Sequence, residues 1–182
     1  YSGPTAVNIG VVSNASATAI GDLSAVNLAN TAGVSLNLGA NEGIGSLTGG
    51  GVNGGNVNLN ANRLFIGANN SSTTYGGIII GTGGINKVGT GSLTLNNAHT
   101  FTGSIFGNRG NLILDTGANI SLTAYISIGQ DTNDNATLTM QGTSQLTTTS
   151  DFNVGDIGAS VGTFNIADSA SLTVNALFIG SA

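Results

Sequence analysis

The chain has 182 residues, of which three are Lys or Arg and eight are Asp or Glu, so its formal net charge is −5. With so few cations no basic patch can form, which excludes electrostatic binding of nucleic acid or of an anionic membrane surface. The lack of cysteine excludes disulfides and cysteine-based zinc sites. No apolar run approaches the ~20 residues of a membrane helix, so this segment is not expected to insert into a membrane.

Short apolar runs that alternate with polar residues follow one another along the first two-thirds of the chain, and alternation is the signal of a strand. The first region extends from Ala6 to Ala29. The later runs lie at 34–38, 57–59, 64–66, 78–80, 93–95 and 112–114. Gly, Asn or Asp separates the runs, and these residues tolerate the left-handed backbone that tight corners need. The sequence predicts no helix and no linker.

The last third of the chain repeats with a fixed period. Gly129, Gly155 and Gly180 close runs of the same type and lie 26 and then 25 residues apart. The segments 137–140 and 163–166 also correspond to each other at a distance of 26 residues. A period between 20 and 50 residues is typical of a solenoid.

Two all-β architectures fit these runs, a sandwich of about seven strands and a solenoid. The number of runs and the period favour a right-handed parallel β-solenoid (β-helix) with about three short strands per coil of roughly 26 residues. Stacking about seven coils at roughly 4.8 Å would give one continuous thin core. We predict a single solenoid segment over residues 1–182, as part of a longer repeat array. Leu93, Leu95, Leu172 and Val174 are predicted to face inward.

The stretch from Gly81 to Leu114 carries the most specific pattern. It reads Gly-x-Gly-Gly-hydrophobic-x-Lys-x-Gly-x-Gly-x-Leu-x-Leu, then a polar turn, then Thr-aromatic-x-Gly and Gly-x-Leu. The matching residues are Gly81, Gly83, Gly84, Ile85, Lys87, Gly89, Gly91, Leu93, Leu95, Thr100, Phe101, Gly103, Gly110 and Leu112. This pattern resembles the autotransporter-associated β-strand repeat.

That resemblance implies a right-handed β-helix in a large secreted or surface-anchored bacterial protein, and it implies no catalytic residues. Residues 1–40 share only the general alternation. The chain departs from the repeat at Phe101, where Tyr is usual, and at 104–106, where small polar residues are usual. Neither departure changes the predicted fold.

Two polar segments contain residue types that occur in catalytic or metal sites. His99, the single histidine of the chain, follows the polar residues Asn96 and Asn97, and a catalytic triad would need a nucleophile and a carboxylate around it. We expect His99 to be a solvated corner residue. The segment 131–135 alternates Asp and Asn like a calcium loop, but it lacks the glycine and the distal glutamate of an EF-hand. We expect a polar turn there, with calcium binding as the less favoured alternative.

The remaining candidates are also read as structural. A polysaccharide-active β-helix would need clustered carboxylates. The aspartates are spread along the chain, although Asp131 and Asp156 are predicted to occupy similar corners of successive coils. The glycines at 81–84 and 89–91 lack the Gly-Lys-Ser/Thr of a phosphate loop and are predicted to be tight corners. Threonine runs such as 147–149 suit ice binding, but Asn, Ser and Ala interrupt them. We therefore predict no catalytic residue, no metal site and no cofactor.

The function predicted from these observations is a structural and adhesive stalk segment of an extracellular or cell-surface, outer membrane-associated bacterial protein, without catalysis. The alternatives are a self-assembling extracellular filament subunit that stacks end to end, and an ice-binding or polysaccharide-active β-helix. The expected partners are the chain itself or neighbouring coils, together with glycans or cell-surface and matrix components.

The last residues of the chain raise the possibility of self-association. The sequence stops in mid-repeat, and Ser181 and Ala182 offer no helix, proline or charged cap. An uncapped coil exposes unpaired N–H and C=O groups. We expect the isolated chain to associate end to end by pairing of strands between copies.

Overall fold

The computed structural model describes residues 3–180, and within this range it contains strands and no helix. No segment of that range therefore qualifies as a membrane-crossing helix. The strands, in chain order, are β1 Thr5–Val7, β2 Val11–Asn14, β3 Ala25–Leu28, β4 Ser35–Leu38, β5 Glu42–Ile44, β6 Ser46–Gly49, β7 Asn56–Asn58, β8 Arg63–Ile66, β9 Thr73–Tyr75, β10 Ile79–Gly81, β11 Gly84–Lys87, β12 Ser92–Leu95, β13 Ala98–Phe101, β14 Ile105–Gly107, β15 Arg109–Leu114, β16 Asn119–Leu122, β17 Ile126–Ile128, β18 Asn135–Met140, β19 Gln145–Thr148, β20 Asp151–Val154, β21 Val161–Ile166, β22 Ser171–Thr173 and β23 Ala176–Ile179.

These strands form three parallel sheets that run the length of the molecule. The first sheet has the order β1-β3-β6-β9-β12-β15-β18-β21, and the second has the order β2-β4-β7-β10-β13-β16-β19-β22. The third sheet has the order β5-β8-β11-β14-β17-β20-β23. The chain therefore visits the three sheets in turn, and each strand pairs in parallel with its equivalent in the next coil. This arrangement confirms the predicted parallel β-solenoid with three strands per coil, and its right-handed sense stays a prediction.

The coil length differs from the prediction. The solenoid has about eight turns of about 22 residues, not seven turns of 26. A 26-residue spacing holds near the end, where Leu112 pairs with Leu138 and Leu138 with Phe164. In the middle of the chain, Leu93 pairs with Leu112, only 19 residues later. The period of the last third was thus wrongly extended to the whole chain.

The corners account for the variable coil length. A single residue, Asn108, separates β14 from β15, whereas six residues separate β17 from β18. The strands keep their pairing in both cases. Extra residues therefore enter the corners, and the three-sided core stays continuous.

Inward-facing side chains stack in files, because parallel pairing places the same position of each strand above its equivalent. In the third sheet one such file consists of Leu64, Ile85, Ile105, Ile126 and Phe152, all fully buried. The predicted sidedness of the central strand β12 is confirmed, since Leu93 and Leu95 are buried while Thr94 points outward.

Glycines lie where the backbones of successive coils come closest. A Cβ atom at Gly83 would overlap the carbonyl oxygen of Asn62, and one at Gly89 would overlap that of Gly67. Gly89 also has a φ of 66°, a conformation that favours glycine. The glycine-rich stretches are therefore corners at coil-to-coil contacts.

The two ends of the described solenoid differ. In the last coil the inward positions are open, with Ile166 at 49% and Ile179 at 74% exposure. In the first coil, by contrast, Val7 and Ile20 are buried. Ser181 and Ala182, on which the predicted lack of a cap rests, lie outside the described residues.

A paired substitution in β12 tests the assignment of the two faces. Leu95→Asp would place an unpaired charge in the core, so we expect loss of the folded state. Thr94→Asp lies on the outer side, and its effect should stay within about 1 kcal/mol. Thermal melts followed by circular dichroism would measure both. Equal effects of the two substitutions would contradict the inward and outward assignment.

Candidate functional site

The outer surface of the third sheet differs from those of the other two sheets. On the first sheet the outward residues are mostly Thr, Ser and Asn, as in the file that contains Thr74 and Thr94. On the third sheet Arg63 and Phe65 of β8 point outward, followed by Phe106 of β14 and Tyr125 just before β17. Aromatic rings and a cation are thus concentrated on one face, which we call the aromatic face.

The guanidinium of Arg63 lies over the ring of Phe106. The guanidinium carbon is 4.1 Å from the ring centroid, a distance typical of a cation–π contact. The ring of Phe106 is in turn 5.1 Å from that of Tyr125. Burial lowers the pKa of Arg63, an effect that Tyr125 partly opposes. These contacts hold the centre of the aromatic face in a fixed arrangement.

A chain of side-chain hydrogen bonds runs from Arg63 along the solenoid axis. Its Nη1 donates to Oδ1 of Asn86 at 2.6 Å, and Nδ2 of Asn86 donates to Oδ1 of Asn108 at 3.1 Å. Nδ2 of Asn108 then donates to Oδ2 of Asp134 at 2.7 Å. Every donor in this chain points the same way, from a cation to a carboxylate, so each bond polarises the next.

The segment 131–135 therefore has a structural role in the turn before β18. Oδ2 of Asp134 accepts from Asn108 and also from the backbone N–H of Asp131, at 2.9 Å. The carboxylate is buried and faces the protein. Within residues 3–180, no three His, Cys, Asp or Glu side chains are grouped as a metal site would require.

Asp131 and Asp156 both lie in the corner that leads from the third sheet to the first, in successive coils, but one residue out of register. Ile128 of β17 pairs with Val154 of β20, and this register places Gln130 level with Asp156. One Asp156 oxygen, Oδ2, accepts a hydrogen bond from Oγ of Ser127 at 2.9 Å. The two corners are thus similar, as predicted, and the two aspartates are not stacked directly on each other.

Lys87 is the first of three ionisable residues that point into the core. It occupies an inward position on β11 and is almost fully buried. Its Nζ donates to the carbonyl oxygens of Val88 at 2.6 Å, Gly89 at 2.9 Å and Arg109 at 3.2 Å. Burial lowers the pKa of Lys87 to about 8. The ammonium group thus satisfies three carbonyls at one corner of the solenoid.

His99 also points inward, so its prediction as a solvated corner residue was wrong. It lies within β13 and is buried, with its ring 6.4 Å from that of Phe101. Its Nδ1 accepts from the backbone N–H of Ile79 at 3.1 Å, while Nε2 has no partner. Burial lowers the pKa of His99 to about 4. The ring is therefore neutral at pH 7, and its hydrogen bond is to a backbone N–H and not to a carboxylate.

Glu42 is the third, at the beginning of the third sheet. It is buried, and its Oε2 accepts from Nδ2 of Asn14 at 2.7 Å. Oε1 accepts from the backbone N–H of Ile20 at 3.3 Å. Nδ2 of Asn14 also donates to the carbonyl of Ala40 at 3.2 Å. This small network closes the core at the first coil.

A recess lies outside the sheet at the same level, and we call it the Gly43 hollow. Gly43 pairs with Phe65 in the next coil, and Asp22 lies on its other side. The hollow is lined by Ala17, Asp22, Asn41, Glu42, Gly43, Ile44, Phe65, Ala68 and Val88. Because Gly43 lacks a side chain, the space between the Phe65 ring and the Asp22 carboxylate stays open.

The aromatic face was not foreseen, although the sequence holds a signal for it. The run 64–66 is apolar without interruption, as is Ile105–Phe106, so an apolar residue takes the outward position in each strand. Such a run indicates a strand with apolar residues on both sides. The threonine file of the first sheet is interrupted by Ile113, and ice binding by such a file stays a prediction.

The buried His99 ring predicts a pH-dependent stability. In the unfolded chain His99 binds a proton below about pH 6.5, whereas in the folded chain it does so only below about pH 4. The free energy of unfolding is therefore highest above pH 6.5 and decreases as the pH falls from 6.5 towards 4. We expect a slope of up to about 1.4 kcal/mol per pH unit. His99→Asn keeps a hydrogen-bond acceptor but does not titrate. Urea denaturation between pH 4.5 and 7.5 should therefore show a shallower slope for this variant, and identical slopes would contradict the burial of a neutral His99.

The buried ammonium of Lys87 gives a second stability prediction. Lys87→Met keeps most of the volume but leaves three carbonyls without their donor, which should destabilise the fold by roughly 1–3 kcal/mol. Arg109→Met is the matched control, because that side chain is exposed and only its backbone carbonyl is used. Denaturant titrations at pH 7 would compare them. Equal losses in both variants would show that the three hydrogen bonds contribute little.

No family model and no solved structure matches the chain. The chain is 41% identical over 97 residues to the adhesin BmaC autotransporter of Brucella suis biovar 1 (strain 1330). The match covers 52% of this chain and 3% of that protein, so the chain spans a small part of its relative's length. Together with the stacked parallel coils, this similarity confirms that the chain resembles the passenger β-helix of autotransporter proteins.

Proposed function

We propose that this chain is a structural and adhesive stalk segment of an extracellular or cell-surface bacterial protein, and that it has no catalytic activity. The observation that carries this proposal is the aromatic face, a rigid patch on an otherwise regular rod. The name of the relative, an adhesin, supports an adhesive role at the cell surface. An outer membrane-associated location belongs to the same proposal.

The stalk role is supported by the continuity of the three sheets. From β6–β8 to β18–β20, each coil bonds to both of its neighbours through parallel strands on all three sides. A solenoid of this kind derives its stability from contacts between neighbouring repeats. Such a rod can project an attached domain or its own side chains away from a cell.

The adhesive role is supported by the state of the aromatic face. Tyr125 is 36% exposed and Phe65 is partly exposed, while Arg63 is fixed by Phe106 and Asn86. Rings held in place before binding lose little conformational entropy when a partner packs on them. Tyr and Arg are also enriched among residues that dominate binding energy. Glycans or matrix components are the proposed partners.

A second candidate function is a filament subunit that stacks end to end. It is supported by the open core positions in the last described coil, where Leu177 and Ile179 are exposed. The strands β21 to β23 also have partners on one side only. A further coil, from this chain or from another copy, would cover both the apolar side chains and the strand edges.

Display of residues 1–182 on beads tests the adhesive role. Beads would be applied to epithelial cell layers and to a panel of purified matrix proteins and glycans, and retention would be counted after washing. We expect retention above that of bare beads, and a several-fold loss in the double variant Phe65→Ser, Tyr125→Ser. The matched control is Thr94→Ser, Thr139→Ser on the outer side of the first sheet, which should retain adhesion.

Two outcomes would contradict the proposal. Retention equal to that of bare beads on every surface would remove the adhesive role. Equal losses in the two double variants would show that the aromatic face is not the surface responsible. Analytical ultracentrifugation of the same protein distinguishes the second candidate, since a filament subunit would form large assemblies at micromolar concentration.

A further inference from the structure

Elsewhere on the outer surface of the third sheet, an oxygen acceptor and an aromatic ring bind the guanidinium of Arg63. The Gly43 hollow contains the same two kinds of group, and no described cationic side chain lines it. The outward positions of the third sheet form one file, in which Gly43, Phe65, Asn86 and Phe106 follow each other in successive coils. Further along this file, the Oδ1 of Asn86 and the ring of Phe106 bind the guanidinium of Arg63 from two sides. An oxygen acceptor beside a ring is thus already a guanidinium site in this protein.

The hollow presents the same two groups. Its ring is Phe65, and its oxygen acceptor is the carboxylate of Asp22. Oδ1 of Asp22 would be 3.2 Å from a Cβ atom at Gly43, so the carboxylate lies directly beside the open position. Gly43 lies in the coil between Asp22 and Phe65, and it has no side chain. A flat group therefore has space between the Asp22 carboxylate and the Phe65 ring.

The charges around the hollow select a cation. Asp22 lines the rim, Glu42 lies beneath, and none of the described residues that line the hollow is Lys, Arg or His. The carboxylate of Asp22 replaces the amide oxygen that Asn86 supplies to Arg63, and a charged acceptor makes the stronger hydrogen bond. An anionic ligand would be repelled, and a neutral one would leave the carboxylate without its counter-charge.

We propose that the Gly43 hollow binds an arginine side chain of a partner polypeptide, with the guanidinium stacked on Phe65 and hydrogen-bonded to Asp22. Arginine fits better than lysine, because its planar guanidinium can stack on a ring and donate in its own plane at once. This inference names a partner chemistry for the proposed adhesive role and rests on that role only for its biological purpose.

Binding of a small peptide to the whole chain tests the proposal. The probe is acetyl-Gly-Arg-Gly-amide, titrated into ¹⁵N-labelled residues 1–182 while the amide signals of Gly43 and its neighbour Ile44 are followed by NMR, so that a signal remains in variants of Gly43. The matched probe replaces arginine with citrulline, which keeps the shape and removes the charge. We expect saturable shifts at Gly43 with the arginine peptide, and affinity about tenfold lower with the citrulline peptide, as for loss of one charge-assisted hydrogen bond.

Three variants locate the site. Asp22→Asn should weaken binding about tenfold, since the side chain is exposed and the fold does not depend on its charge. Gly43→Val should abolish binding by filling the hollow, and Gly43→Ala provides a milder version should valine disturb β5. Asp131→Asn removes the same charge from an exposed turn far along the chain and should bind as the original protein does. Thermal melts would confirm that each variant is folded.

Several results would overturn the proposal. These are the absence of saturable shifts at millimolar peptide, equal affinity for the arginine and citrulline peptides, and unchanged binding in folded Gly43→Val. An equal loss in Asp22→Asn and Asp131→Asn would show that the peptide responds only to net charge. A protein that binds the peptide but does not retain beads would contradict the adhesive role alone, and a protein that retains beads but not the peptide would contradict this inference alone.

Discussion

Hydrogen bonds between the parallel backbones of successive coils are the interaction on which the rest of this structure depends. They fix the register of each strand on the next, so that Ile85 lies on Leu64 and Ile105 lies on Ile85. Once the register is fixed, every strand side chain stacks on the equivalent side chains of the neighbouring coils. Files that face the core are mostly apolar, and most files that face the solvent are polar. Because only the strands are constrained in this way, the corners are free to differ in length from one coil to the next.

The same constraint explains where polar groups enter the core. Between the two end coils, a position in an inward file is buried whatever its residue type, so Lys87, His99 and Glu42 lose contact with water together with their apolar neighbours. Each then takes its partners from what the coil offers nearby. Carbonyls of a corner receive the ammonium of Lys87, and a backbone N–H donates to the ring of His99. The chain thus contains few charges, and several of them are structural.

Local patterns predicted the features that depend on one strand at a time. The alternation in 93–95 gave the correct faces of Leu93 and Thr94, and the glycine runs were correctly read as corners. Coil length could not be read in this way, since the number of corner residues changes along the chain. The aromatic face could not be predicted either, because it depends on which strands belong to the same sheet. Phe65 and Phe106 lie on the same sheet only because β8 and β14 are separated by two coils of three strands each. His99 was misplaced because the preceding asparagines looked like a turn, although it alternates in phase with buried Phe101.

The orientation of the inter-coil hydrogen bonds has a mechanical consequence. These bonds lie along the axis of the solenoid, so a pull between its two ends would load them in series, coil after coil. Under a force parallel to these hydrogen bonds, the coils separate one at a time. Under a shearing force along the strands, by contrast, all the hydrogen bonds of a strand resist together. Each opened coil of about 22 residues would release roughly 70 Å of extended chain. A stalk of such coils would yield stepwise under flow, lengthening and dissipating force while the remaining coils stay folded.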